Sequence, residues 1–213
     1  MKITDISKNK KAAGYAVFID GEFAFSLSMD YIVLNHLKKD MEISEEERER
    51  LLFLSVYIKA REKALRLLDM RAHSVRELQT KVSVKYGKEA AEKVSEDLLS
   101  CGLLNDRDFA LRYAEELKRT KHFGAQRIKT ELFRKGIPSE YVSEAVNALD
   151  DGDKSPAEII KDDILRKHIG KMETEKGRRT LTAYFIRRGY TFRDVKEAFQ
   201  MLELEISEFP EEF

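Results

Sequence analysis

Two runs of alternating apolar and polar positions open the chain. Tyr15, Val17 and Ile19 alternate with Ala16 and Phe18. Asp20-Gly21 follows, and Phe23, Phe25 and Leu27 then alternate with Glu22, Ala24, Ser26 and Ser28. Period-2 runs on either side of Asp-Gly predict a β-hairpin, because both central turn positions need positive φ. Ile3 and Ile6 supply a third strand, which a lone hairpin needs for stability in water. Residues 29–38 read as a short helix. Ser44 with Glu47 three positions on forms a capping box that opens an acidic helix, running toward position 60 or as one piece to Met70.

Beyond this head the period changes to 3.6 and the pattern repeats. Ser74, Leu78 and Val82 lead to Gly87; Gly124, Ile128 and Leu132 lead to Gly136; Gly177, Leu181 and Phe185 lead to Gly189. Each glycine falls where a helix terminates through a left-handed residue. Flanking stripes follow the same period: Phe109, Ala110, Tyr113, Ala114 and Leu117; Tyr141, Val142, Ala145, Val146 and Leu149; Phe192, Val195, Ala198, Phe199 and Leu202. Ser74-x-x-Glu77, Ser155-Pro156-Ala157-Glu158, Thr191-x-x-Asp194 and Asn105-Asp106 mark helix starts. The expected fold is mainly α: an elongated tandem array of three three-helix repeats behind a small three-stranded N-terminal head. Its expected boundaries are a β-rich head at 1–43, a linker helix with repeat 1 at 44–104, repeat 2 at 105–150, repeat 3 at 151–205 and an acidic tail at 206–213.

Composition supports a helical, heavily solvated chain, since 37% of the 213 residues are charged against only 3 prolines. The formal net charge of zero hides segregation. Residues 118–135 hold seven bases against one acid, and residues 166–193 hold nine against two, whereas 40–55, the linker Asp150-Asp151-Gly152-Asp153 and the tail are acidic. Basic helices of this kind meet phosphate backbones or acidic protein grooves. The candidate contact residues are Lys118, Lys121, Arg127, Lys129, Arg134 and Lys135 in repeat 2, with Arg178, Arg179, Arg187 and Arg188 in repeat 3. Repetition in register would line these basic faces along one side. Few Asn or Gln accompany them, so backbone contact is favoured over base readout.

No residue set points to catalysis. His36, His73, His122 and His168 are scattered, and neither His-Glu-x-x-His nor a glycine-rich phosphate loop occurs. His73 reads as a surface or capping residue. The only cysteine, Cys101, excludes an internal disulfide and a cysteine-rich zinc site, and reads as a small core residue. Tyr86, Phe123 and Tyr190, beside basic residues at helix ends, are the candidates for stacking on bases. No metal or cofactor is expected. The polar N-terminus lacks an apolar leader and no run of about 18 apolar residues occurs, so the expectation is a cytoplasmic monomer without membrane contact.

Three stretches carry a family resemblance. Arg71-Ala72-His73-Ser74-x-x-Glu77-Leu78, Gly102-Leu103-Leu104-Asn105-Asp106-x-x-Phe109-Ala110 and Gly124-x-x-Arg127-Ile128-x-x-Glu131-Leu132-x-x-Lys135-Gly136-Ile137 are similar to motifs of the RecX family, regulators of the RecA recombinase. The resemblance implies a row of three-helix repeats that binds RecA and the RecA–single-stranded-DNA filament. It implies inhibition of RecA's recombinase and ATPase activities, modulating recombination, DNA repair and the SOS response, and no enzyme activity of its own. The alternative is a stand-alone, helix-turn-helix-like DNA-binding protein without sequence preference.

Overall fold

The computed structural model describes residues 1–9, 14–149 and 154–208, with side chains to 204. The linker at 150–153 and the tail beyond 208 lie outside the described residues. The fold is mainly helical with one three-stranded antiparallel sheet, and divides into two compact units, Met1–Leu104 and Asn105–Phe213.

In the first unit, β1 (Ile3–Lys8), β2 (Tyr15–Ile19) and β3 (Glu22–Leu27) pair in sequence order. Asp20 at φ 47° and Gly21 at φ 88° make the tight turn. Val17, Ile19, Phe25 and Leu27 are buried with Ile3, as alternation requires. Phe23 departs from it: the register shifts at Val17/Phe18, so Phe23 pairs with Phe18 and stands 58% exposed. Helix α1 (Met29–Leu34) and the long α2 (Glu45–Met70) close the sheet's inner face. The Ser44–Glu47 capping box is formed in both directions, at 3.1 and 3.0 Å. At about 1.5 Å per residue α2 is long enough to serve two cores. Leu51 packs under the sheet, while Ala60 and Ala64 pack against α3 (Val75–Tyr86) and α4 (Lys88–Ser100) through Leu78, Val82, Ala91, Val94 and Leu98.

The α2–α3 junction explains the first motif. Arg71 makes a two-pronged ion pair with Glu77, at 2.6 and 3.1 Å, and Ser74 caps the Glu77 amide. His73, read as a surface or capping residue, is buried and bonds the carbonyl of Arg71, the residue that ends α2. Its Nδ1 lies 2.9 Å from the Arg71 carbonyl, which can only accept, so Nδ1 carries the proton. Nε2 is then the acceptor for the Lys81 ammonium at 3.2 Å. Burial holds the imidazole's pKa below its usual value. The unfolded chain therefore binds more protons just below pH ~6.5, and His73's contribution to stability, complete above that pH, is lost as pH falls toward its folded value. We expect the urea midpoint of the wild type to fall between pH 7.5 and 5.5, and His73→Gln to flatten that slope.

A half-buried tie joins α2 to α4. The Tyr57 hydroxyl donates to Asp97 at 2.7 Å, and burial pushes the phenol up to about 12. Cys101, expected in the core, is exposed just past α4, because Leu98 and Leu104 on either side fill the core.

The second unit holds α5 (Asp106–Lys121), α6 (Ala125–Arg134) and α7 (Ser139–Asn147) around one core, and α8 (Pro156–Lys167), α9 (Glu175–Arg187) and α10 (Phe192–Glu208) around another. Ile128 and Leu132 centre the first core, Leu181 and Phe185 the second. Asn105 caps the Asp108 amide at 3.0 Å and Ser155 forms a two-way box with Glu158. Phe192, assigned to a core stripe by period, is 65% exposed, since no described residue covers the first turn of α10 on that side.

Candidate partner-binding surface

Within the second unit the two three-helix groups interlock end to end. The Gly124 amide, at the start of α6, donates to the Arg188 carbonyl at 2.7 Å, and the Gln126 amide donates to the Gly189 carbonyl at 3.3 Å. Unsatisfied donors at one helix N-terminus thus meet unsatisfied acceptors at another's C-terminus, and the two macrodipoles reinforce. Two glycines make the approach possible. A Cβ on Gly124 would lie 2.5 Å from the Gly189 carbonyl oxygen, and one on Gly189 would lie 2.2 Å from the Arg127 nitrogen.

Arg188 seals the joint. Its guanidinium donates to the Lys121 carbonyl at 2.5 Å, at the end of α5, and to the Tyr184 hydroxyl. It also stands 3.8 Å from the buried Asp163 carboxylate. Burial alone would raise the Asp163 pKa, but Lys167, hydrogen-bonded at 2.8 Å, with Arg188 and His168 holds it below the usual carboxylate range. Removing Arg188 strips buried Asp163 of one of its cations. We expect Arg188→Met to lower stability by about 2 kcal/mol, read as a fall in the thermal midpoint.

The ten candidate cations divide accordingly. Arg188 faces inward. Arg178 donates through Nε to the Met172 carbonyl at 2.7 Å and pairs with Glu203 at 2.5 Å, tying α9 to its neighbours. Arg127 pairs with Glu131 at 2.7 Å and lies over the Phe123 ring. These three serve the fold. Lys121, Arg134, Arg179 and Arg187 are exposed, while Lys118, Lys129 and Lys135 are half-buried. Arg134 and Arg179 make only short-range helical pairs, with Glu131 and Glu175, of a kind worth a few tenths of a kcal/mol. Lys135 lies over the Tyr113 ring.

The joint brings the end of α5, with Lys118 and Lys121, next to the end of α9, with Arg187, and the start of α6, with Arg127. Arg134 and Lys135 lie at the far end of α6, about 10 Å on, and Arg178 and Arg179 lie near the start of α9. The stacking candidates are absorbed into the fold. Tyr190 packs edge-on to Phe185 and its hydroxyl reaches the His122 carbonyl, Phe123 lies beneath Arg127, and half-buried Tyr86 lies beneath Lys85. The exposed aromatic that sequence reasoning missed is Phe133 on α6, 51% exposed; its place one residue past core Leu132 was the available signal.

A cleft of about 130 Å³ beside the joint is lined by Phe123, Ile128, Val146, Leu149 and Tyr190 among others. Its carboxylate, Asp194, is committed to capping the Thr191 amide at 2.8 Å. Among the described residues no three His, Cys, Asp or Glu side chains gather in a way that could hold a metal ion, and no helix is long and apolar enough to cross a membrane.

Two family models match the chain: the RecX N-terminal domain over residues 1–44 and the second three-helix domain of RecX over residues 105–146. The regulatory protein RecX of Clostridioides difficile is 32% identical over 149 residues, 70% of each chain. The chain belongs to the RecX family. The RecX of Clostridium beijerinckii is 29% identical over 195 residues, 89% of this chain and 88% of that one. A crystal structure of regulatory protein RecX shares the fold, with a TM-score of 0.69 over 93% of this chain and 98% of the other, at 20% identity. A regulatory role follows from membership. The RecX motifs themselves prove architectural here. Gly102 at φ 70° ends α4, Leu104 closes one core, Asn105 caps α5 and Phe109 opens the next core. Ile128 and Leu132 are fully buried, and Gly136 at φ 78° ends α6 ahead of buried Ile137.

Proposed function

We propose that this RecX chain binds the RecA recombinase and its filament on single-stranded DNA, and lowers RecA's ATP turnover and strand exchange by contact alone. The observation that supports this reading most is the set of exposed cations on α5, α6 and α9, around a joint in which Arg188 and Asp194 are engaged in structure. Arg188, Asp163, Arg178 and Asp194 hold the fold, and the exposed charges Lys121, Arg134, Arg179 and Arg187 lack any such duty beyond weak helical pairs. Phosphate oxygens or carboxylates on the filament are their natural counterparts. A wide set of individually weak contacts along a polymer gives useful avidity.

The test is a titration of the chain into a single-stranded-DNA-dependent RecA ATPase assay. Turnover should fall progressively to a plateau near stoichiometric ratios. Unchanged turnover at a large excess, with steeply salt-dependent binding to naked DNA, would replace this reading with that of a stand-alone DNA-binding protein.

A further inference from the structure

Phe133 and Ile186 occupy the same position in their repeats. Each follows the buried residue that closes its middle helix's core stripe, Leu132 or Phe185, and each precedes the terminating glycine by three. Phe133 is 51% exposed and Ile186 is 42% exposed. Neither belongs to a core cluster. A single exposed apolar residue is ordinary; these two stand in matching register within one unit. An exposed arginine follows each, Arg134 and Arg187. Lys129 lies one helical turn before Phe133, and Arg179 lies two turns before Ile186. The joint orders them: Ile186 sits within a turn of the carbonyls gripped by the start of α6, and Phe133 sits near the end of α6. In the first repeat Ser83 follows core Val82, while Val84, 86% exposed and followed by exposed Lys85, stands three before Gly87, so an exposed apolar residue beside a cation recurs there one place further along.

We propose that Phe133 and Ile186 are paired anchors that insert into apolar sockets rimmed by carboxylates on a protein partner, with Arg134 and Arg187 reaching those carboxylates. On the proposed function, on which this inference rests for the partner's identity, the sockets belong to the RecA polymer. Protein fits better than nucleic acid because stacking on bases needs a flat π-face, and Ile186 has none. A buried apolar side chain beside an arginine is the usual make-up of a contact that dominates a protein interface.

The test compares wild type with the double variant F133S/I186S, which leaves every charge in place. Binding of a fluorescently labelled chain to RecA filaments on single-stranded DNA, locked with a non-hydrolysable ATP analogue, is read by anisotropy, alongside naked single-stranded DNA. The double variant should bind filaments at least ~30-fold more weakly, change less than twofold on naked DNA, and keep its thermal midpoint. F133L/I186L should bind filaments as wild type does, which also separates lost anchoring from misfolding. Unchanged filament affinity in the double variant, or a parallel loss on naked DNA, would overturn the anchors while leaving the proposed function standing. Wild type that ignores filaments would overturn both.

Discussion

Gly189→Ala should cost about 3 kcal/mol or more of stability. Two terms add. Gly189 has φ 91°, where an L-residue loses about 1–2 kcal/mol. The new Cβ would also lie 2.2 Å from the Arg127 nitrogen and 2.5 Å from its Cβ, atoms at the start of a helix that cannot step aside alone. Relief requires α6 and α9 to part, which breaks the Gly124–Arg188 and Gln126–Gly189 hydrogen bonds and loosens Arg188 from the Lys121 carbonyl. For a unit of this size each kcal/mol moves the thermal midpoint by about 4–8 °C, so a fall of more than ~12 °C is expected. Gly102→Ala is the comparison: its φ is 70° but a Cβ there meets open space, so only the backbone term of about 1 kcal/mol remains. Equal losses from the two variants would mean that the joint is not packed as described.

Reversing the exposed cations Lys121, Arg134 and Arg187 together with half-buried Lys129 to Glu should raise the concentration needed for half-inhibition of RecA ATPase by at least ~30-fold. Each reversal at a contact rim removes attraction and adds repulsion, at roughly 0.5–1 kcal/mol, and 1.4 kcal/mol is a factor of ten. The fold should tolerate the change. Lys121, Arg134 and Arg187 are exposed, and of the four only Arg134 makes an ion pair among the described residues, a weak one with Glu131. Arg127, Arg178 and Arg188 are left alone because reversing them would disturb α6, α9 and the joint, confusing instability with lost contact. Reversal of exposed Lys59, Lys88 and Lys196 serves as the charge-matched control and should leave inhibition within about twofold. A full-strength quadruple variant with a native thermal midpoint would remove these cations from the contact.

Local features were legible in the sequence and long-range ones were not. The Asp20-Gly21 turn, the Ser44, Asn105 and Ser155 caps, and the core stripes through Ile128, Leu132, Leu181 and Phe185 follow from rules spanning a few residues, and the structure has them. The joint could not be read this way. Gly124 and Gly189 are 65 positions apart; the pattern gives Gly124 as the start of a repeat's middle helix and Gly189 as a helix terminator, whereas Gly124 also admits the Gly189 backbone and Gly189 that of Arg127. Arg188 counts as one more cation in a basic helix until the Lys121 carbonyl appears beside it. His73 reads as a surface or capping residue from its place before Ser74, and its burial depends on the Arg71 carbonyl and the more distant Lys81, which satisfy both ring nitrogens. Phe192 and Cys101 err in the other direction: helical period tells which residues share a face, but not whether another element covers that face.

The contact surface is tested most directly by lysine footprinting. The chain, alone and bound to RecA filaments on single-stranded DNA, is treated briefly with an acetylating reagent, and each lysine is quantified by mass spectrometry. Lys118, Lys121 and Lys129 should become several-fold less reactive on binding, while Lys59, Lys88 and Lys196 keep their free reactivity. Protection confined to the second group, with Lys121 and Lys129 as reactive as before, would contradict the account.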